Sequence, residues 1–83
     1  MKISGDEKRA ILAAIEEAVQ VCFERIESVK WEKENLTDFQ STIEIADKWS
    51  QICAKLGDEV VHTKCLMLMT ACGIIIDLVE TGS

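Results

Sequence analysis

The sequence of 83 residues contains no proline, four glycines and only four aromatic residues. Proline and glycine are the residues that disfavour helices most strongly, so a chain with few of either favours helical structure. Hydrophobic residues make up 48% of the chain, which supplies enough apolar surface for a core and argues against disorder. The composition therefore predicts an all-α fold, with residues 1–83 forming a single helical domain.

Basic residues are also scarce, with nine Lys and Arg against fifteen Asp and Glu and a formal net charge of −6. An acidic chain binds poorly to the phosphates of nucleic acids or to an anionic membrane surface, because like charges repel. We therefore expect no direct nucleic-acid partner and no membrane partner, whereas a protein with a basic surface is compatible with this charge. The N-terminal residues do not form a secretory signal pattern, which makes the cytoplasm the expected location.

Residues that bind metals or perform catalysis are few and poorly placed. His62 is the only histidine, and Cys65 follows it three residues later on the same predicted helix face. No Cys-x-x-Cys pair supplies the further ligands that a zinc site needs. The chain also lacks a glycine-rich phosphate loop and a serine nucleophile elbow. We expect no catalytic residues, no metal and no cofactor.

The four cysteines lie at apolar positions of the predicted helices. Free cysteine behaves as a small hydrophobic residue, and reduced thiols are expected in a chain without a secretion signal. We interpret all four as reduced core residues, with a disulfide or a metal site as the alternative. They are Cys22, Cys53, Cys65 and Cys72.

The first predicted helix starts near Ser4, because Ser4 and Glu7 have the spacing of a capping box. Apolar residues then recur every three or four positions, as on one face of a helix, and the pattern continues to about residue 33. Leu12 and Val19 flank this stripe. The residues predicted to face the core are Ile11, Ile15, Ala18, Cys22, Ile26 and Val29.

Two further helices follow after short connections. Thr37, with Gln40 three residues later, is predicted to cap the second helix, and Gly57 suits its C-terminal end. Asp58 is placed to cap the third helix, which is predicted over residues 59–80. The apolar face of the second helix consists of Phe39, Ile43, Ala46, Trp49, Cys53 and Leu56, broadened by Ile45 and Ile52.

The third predicted helix is unusually apolar, and residues 65–76 include no charged side chain. Twelve such residues are fewer than the approximately 20 that span a bilayer. Two apolar stripes run along this helix. The first seam is Val61, Cys65, Leu68, Cys72, Ile75 and Val79, and the second seam is Val60, Met67, Ala71, Ile74 and Leu78. Soluble monomers rarely leave so large an apolar patch exposed, so we predict that the second seam mediates assembly. The alternative is that both seams are covered within one chain.

Trp31 falls on the charged side of the first predicted helix, near Glu24 and Glu27 and opposite Cys22. A tryptophan on a charged face is typical of a binding hot spot. The alternative is that the helix ends before Trp31 and the ring folds back over the core.

Carboxylates cluster on the first helix and just beyond it, at Glu16, Glu17, Glu24, Glu27, Glu32 and Glu34. Such a surface can mimic nucleic acid and occupy a basic groove on another protein. However, Arg25, Lys30 and Lys33 are interleaved with it, and a pair such as Glu27 with Lys30 stabilises a solvated helix.

The sequence thus predicts three antiparallel helices that assemble as a homodimer or larger helical-bundle oligomer. The predicted function is a non-enzymatic interaction or regulatory module that self-associates through its C-terminal helix. One alternative is a small acidic inhibitor, of the type found in viruses or mobile elements, that blocks a basic nucleic-acid-binding surface. Another is a small-ligand binder with its site at the oligomer interface. The predicted interface residues are Val60, Met67, Ala71, Ile74, Leu78 and Trp31.

Overall fold

A computed structural model describes residues 2–82, and it confirms the predicted all-α fold with three helices. Helix α1 is Gly5–Ser28, helix α2 is Leu36–Leu56 and helix α3 is Glu59–Gly82. A short 3₁₀ turn, Lys33–Asn35, precedes α2. The described residues contain no strand.

Helix α1 begins as predicted and ends earlier than predicted. The Glu7 backbone N–H donates to the Ser4 hydroxyl at 3.1 Å, and the Ser4 N–H donates to the Glu7 carboxylate at 3.0 Å. The helix stops at Ser28, five residues before the predicted end, because Val29 is extended at φ −90° and ψ 152°. The indole N–H of Trp31 donates to the Ile26 carbonyl at 2.8 Å. This carbonyl would otherwise lack a hydrogen-bond donor, because the helix ends before the residue that would supply one.

The predicted cap of α2 at Thr37 is wrong. The helix already begins at Leu36, because it continues directly from the 3₁₀ turn, and Asn35 precedes it without a side-chain cap. The Asn35 amide instead donates to the Lys30 carbonyl at 2.7 Å and fastens the connection between the helices.

The tight connection between α2 and α3 is the one predicted from the sequence. Gly57 ends α2 at φ 75°, a conformation that costs glycine little because it has no Cβ. Asp58 then caps α3, since the Val61 N–H donates to its carboxylate at 2.9 Å. A two-residue connection of this kind makes α2 and α3 antiparallel neighbours.

The three helices alternate in direction and form a rod of 48 × 18 × 18 Å. Helices α2 and α3 pack along most of their lengths, whereas α1 makes fewer contacts with either of them. Helix α1 runs parallel to α3. Glu16, near the middle of α1, pairs with Lys64, and Trp31, beyond the end of α1, lies beside Leu78 near the end of α3. In so slender a rod, each helix keeps a large part of its surface in water.

The core confirms the first seam of α3, all six residues of which are buried. On α1 the predicted stripe is confirmed in part: Ile15 and Ile26 are buried, whereas Ile11 is exposed and the flanking Leu12 and Val19 belong to the core. The buried residues of α1 are Leu12, Ile15, Val19 and Ile26. On α2 they are Phe39, Ala46, Ser50 and Cys53. Ser50 was not predicted, and its hydroxyl is satisfied by donating to the Asp47 carbonyl at 2.7 Å.

Candidate interaction surface

The second seam of α3 is exposed. Val60, Met67, Ile74 and Leu78 keep between 53% and 66% of their surface accessible, and Ala71 is half-buried. The alternative that both seams are covered within one chain is therefore wrong. The reason is geometric, because the two seams lie about 100° apart on the helix and α1 contacts α3 too sparsely to cover the second one.

Helix α1 contributes one side chain to this surface that the sequence did not identify. A shallow cleft between α1 and α3 contains Phe23, half-buried, beside Met67, Ala71 and Ile74. Leu66 lines the same cleft and is also exposed, although it falls on the less apolar stripe of the helical wheel. The apolar surface is thus wider than the second seam alone.

Trp31 does not lie on α1 beside Glu24 and Glu27 as predicted, because the helix has ended before it. The chain folds back there, in accord with the alternative, but half of the Trp31 residue surface remains accessible, so the ring is not a core residue. It lines a cleft together with Leu78. Trp31 therefore extends the second seam at the C-terminal end of α3, and the two predicted parts of the interface are neighbours.

The clefts along this surface have an acidic border. Five carboxylates line them: Glu16, Glu17, Glu32, Glu34 and Glu59. Only two cations do so, and one of these, Lys64, is paired with Glu16. The surface therefore presents apolar side chains within a net negative field, a combination that is complementary to an apolar and basic surface.

The predicted pair between Glu27 and Lys30 is not formed. Lys30 lies beyond the end of α1, so the helical spacing that would bring the two side chains together is lost. Between residues 2 and 82 the ion pairs are Arg9 with Asp6 and Lys64 with Glu16, all with exposed side chains. Most of the carboxylates on α1 consequently form no ion pair with any residue that the structure describes.

The thiols are packed in the core and are poor nucleophiles. Cys53, Cys65 and Cys72 are buried, Cys22 is half-buried, and all four are free. Burial raises the pKa of the Cys65 thiol to about 11, and the neighbouring Cys53 thiol adds to this increase. A reactive cysteine needs a lowered pKa and access to solvent. These residues therefore serve packing, and among the described residues no three His, Cys, Asp or Glu side chains form a potential metal site.

Helix α3 is longer than its charge-free segment. By length and composition alone, its 24 residues, with a mean hydropathy of 1.7 over the most apolar window, are sufficient to cross a membrane. The core helix of a soluble protein satisfies the same criteria, and 28% of that window is buried against the rest of this chain.

No known protein family, curated protein or solved structure matches this chain.

Proposed function

We propose that this protein is a non-enzymatic interaction module that self-associates through the second seam of α3, with Trp31 at the end of the interface. The observation that carries this proposal is the exposure of Val60, Met67, Ile74 and Leu78 along one side of a single helix. Contiguous apolar surface of this kind marks interaction sites on soluble proteins. The same chain has a well-buried first seam, so the second one is not needed to form its own core.

The size of the surface sets the expected strength of assembly. Covering the exposed half of four such side chains contributes on the order of 4 kcal/mol for each face that is buried. Association costs about 4–15 kcal/mol in lost translational and rotational freedom. The second seam alone therefore supports a reversible assembly that depends on concentration, and Trp31, Phe23 and Leu66 supply additional buried area.

Replacing Ile74 with lysine is expected to dissociate the assembly without unfolding the chain. Ile74 is 55% exposed, so a lysine there can direct its ammonium group into water in the single chain. In an assembled state the same charge would be buried without a partner, at a cost of several kcal/mol. Light scattering over a concentration series measures the change in mass, and circular dichroism verifies that the helices are retained.

Val21→Lys is the matched control, because Val21 is an equally exposed apolar residue on α1, outside the clefts that border the second seam. It should assemble like the wild type. A wild-type chain that stays monomeric throughout the series would refute self-association. Equal dissociation of both lysine variants would show that net charge, rather than the second seam, controls the mass.

A second candidate function, the acidic inhibitor, is favoured by the carboxylates of α1. Glu17, Glu24 and Glu27 are exposed and form no ion pair within the described part of the chain. If they bind a basic surface, an arginine-rich peptide should bind with an affinity that falls steeply with salt, and the double variant Glu24→Lys/Glu27→Lys should abolish the binding. Ile74→Lys should leave it unchanged. Fluorescence anisotropy of a labelled peptide at low and high salt tests this, and binding that is insensitive to salt would exclude it.

A further inference from the structure

We infer that the assembly is head-to-tail: the second seam of one copy binds an apolar strip on α2 of another copy. This inference rests on the proposed self-association and specifies its partner surface. The α2 strip consists of Ile45, Trp49, Ile52 and Leu56. Their spacing of four, three and four residues places them on one side of the helix. Ile45 and Ile52 are 46% and 40% exposed, while Trp49 and Leu56 are half-buried beside them.

The charges beside the α2 strip are net positive, opposite in sign to those around the second seam, because exposed Lys48 and Lys55 outnumber exposed Glu44. Lys48 and Lys55, both exposed, follow Ile45 and Ile52 by three residues each, so each isoleucine has a lysine as its neighbour on the helix surface. Neither lysine forms an ion pair with another residue between 2 and 82. The second seam is bordered by five carboxylates and two cations, one of which is already paired.

This distribution of charge disfavours a symmetric interface in which two second seams face one another. A two-fold axis would bring the same acidic border of both copies together, and opposing like charges penalise association. Binding the α2 strip instead places Lys48 and Lys55 beside the carboxylates. A second copy of the chain therefore satisfies both the apolar and the electrostatic requirements of the surface.

The dimensions of the two surfaces also agree. The second seam extends from Val60 to Leu78, roughly 27 Å along the helix axis at 1.5 Å per residue. The α2 strip extends from Ile45 to Leu56, roughly 17 Å by the same rise, and fits within that length. Ile45 and Ile52 are seven residues apart, as are Met67 and Ile74, so the two isoleucines match the spacing of the side chains that they contact.

A head-to-tail interface has a consequence that a symmetric dimer does not share. Each copy retains one free second seam or one free α2 strip after pairing, so further copies can add until the assembly closes into a ring or grows as a filament. The mass is expected to continue rising with concentration beyond that of a dimer.

Mixing two defective variants tests this arrangement. Ile52→Lys disables the α2 strip, and Ile74→Lys disables the second seam. Each variant alone should remain monomeric in sedimentation equilibrium. In an equimolar mixture, the intact second seam of Ile52→Lys should bind the intact α2 strip of Ile74→Lys. The mixture should therefore form a species of twice the monomer mass and nothing larger, because both surfaces left free in each pair are disabled. Circular dichroism establishes that both variants retain the wild-type helix content.

The possible outcomes separate this inference from the proposal on which it rests. If the wild type assembles and Ile52→Lys assembles equally well, or if the mixture stays monomeric, the interface is not head-to-tail although self-association stands. If the wild type is monomeric, self-association and this inference both fail. Sedimentation of the wild type but not of Ile74→Lys with phosphatidylcholine vesicles would then assign the second seam to a membrane surface.

A charge reversal provides a second test that keeps every apolar contact and so does not depend on Ile52→Lys folding correctly. Lys48→Glu/Lys55→Glu should weaken assembly about tenfold at low salt, and this difference should diminish as salt screens the charges. An unchanged association constant in the double variant would overturn the inference.

Discussion

Replacing Leu68 with alanine is expected to lower the free energy of unfolding by about 3 kcal/mol, within the range of about 2–5 kcal/mol for leucine truncations in a core. Leu68 is fully buried in the first seam, at the centre of the tightest helix pair, α2 and α3. The cost combines the lost transfer of the side chain from water with the cavity that it leaves. In a chain of this size such a loss lowers the midpoint of thermal unfolding by more than about 10 °C.

Leu66→Ala is the matched control for this prediction. Leu66 lies two residues away on the same helix, and 42% of it is exposed. Alanine there should lower the free energy of unfolding by less than about 1 kcal/mol in the monomeric chain. Urea unfolding followed by circular dichroism measures both variants at a concentration at which no assembly is detected. Equal losses would mean that α3 does not face the core as described.

Alkaline pH is expected to destabilise the folded chain through its buried thiols. The pKa of Cys65 is raised from 9.0 to about 11 in the fold by burial and by the neighbouring Cys53 thiol. Below pH 9 the thiol is protonated in both states and its contribution does not depend on pH. Between pH 9 and 11 the unfolded thiol ionises while the folded one keeps its proton, which stabilises the unfolded chain. The free energy of unfolding should fall by about 2 kcal/mol across this interval through Cys65 alone.

Comparing the wild type with Cys65→Ala isolates this contribution. Between pH 9 and 11, the free energy of unfolding of Cys65→Ala should decrease by about 2 kcal/mol less than that of the wild type. Cys22→Ala, which removes the half-buried thiol, should lose nearly as much free energy of unfolding as the wild type over this interval. Urea unfolding at a series of pH values, with reductant present, provides the measurement. A wild type and a Cys65→Ala variant with parallel pH dependence would show that Cys65 ionises equally easily in both states.

Local patterns were sufficient to predict those features that depend on neighbouring residues. The Ser4–Glu7 capping box, the turn at Gly57 and the cap at Asp58 all involve groups within five residues of one another. Their spacing along the sequence therefore determines their geometry. The first seam of α3 was also predictable, because helical periodicity alone places its members on one face.

The features that the sequence did not predict depend on contacts that neither helical periodicity nor capping spacing encodes. The end of α1 at Ser28 is accompanied by a hydrogen bond from the Trp31 indole, which requires the chain to fold back after the helix. The burial of Leu12 and Val19 instead of Ile11 depends on how α1 is rotated against the other two helices. Ser50 is buried because its hydroxyl has a local acceptor, the Asp47 carbonyl, which hydrophobic periodicity does not detect.

The interaction surface also combines features that the sequence predicts with features that require the tertiary structure. The sequence by itself determined that α3 carries two apolar seams, because residue spacing on a helix is fixed by its 3.6-residue period. Only the tertiary structure decided whether the second seam is also covered within the chain, since α2 packs closely against α3 whereas α1 contacts it sparsely and leaves that seam exposed. It also decided that Trp31 lies beside Leu78, because the parallel course of α1 and α3 brings residues 47 positions apart in sequence to the same end of the rod.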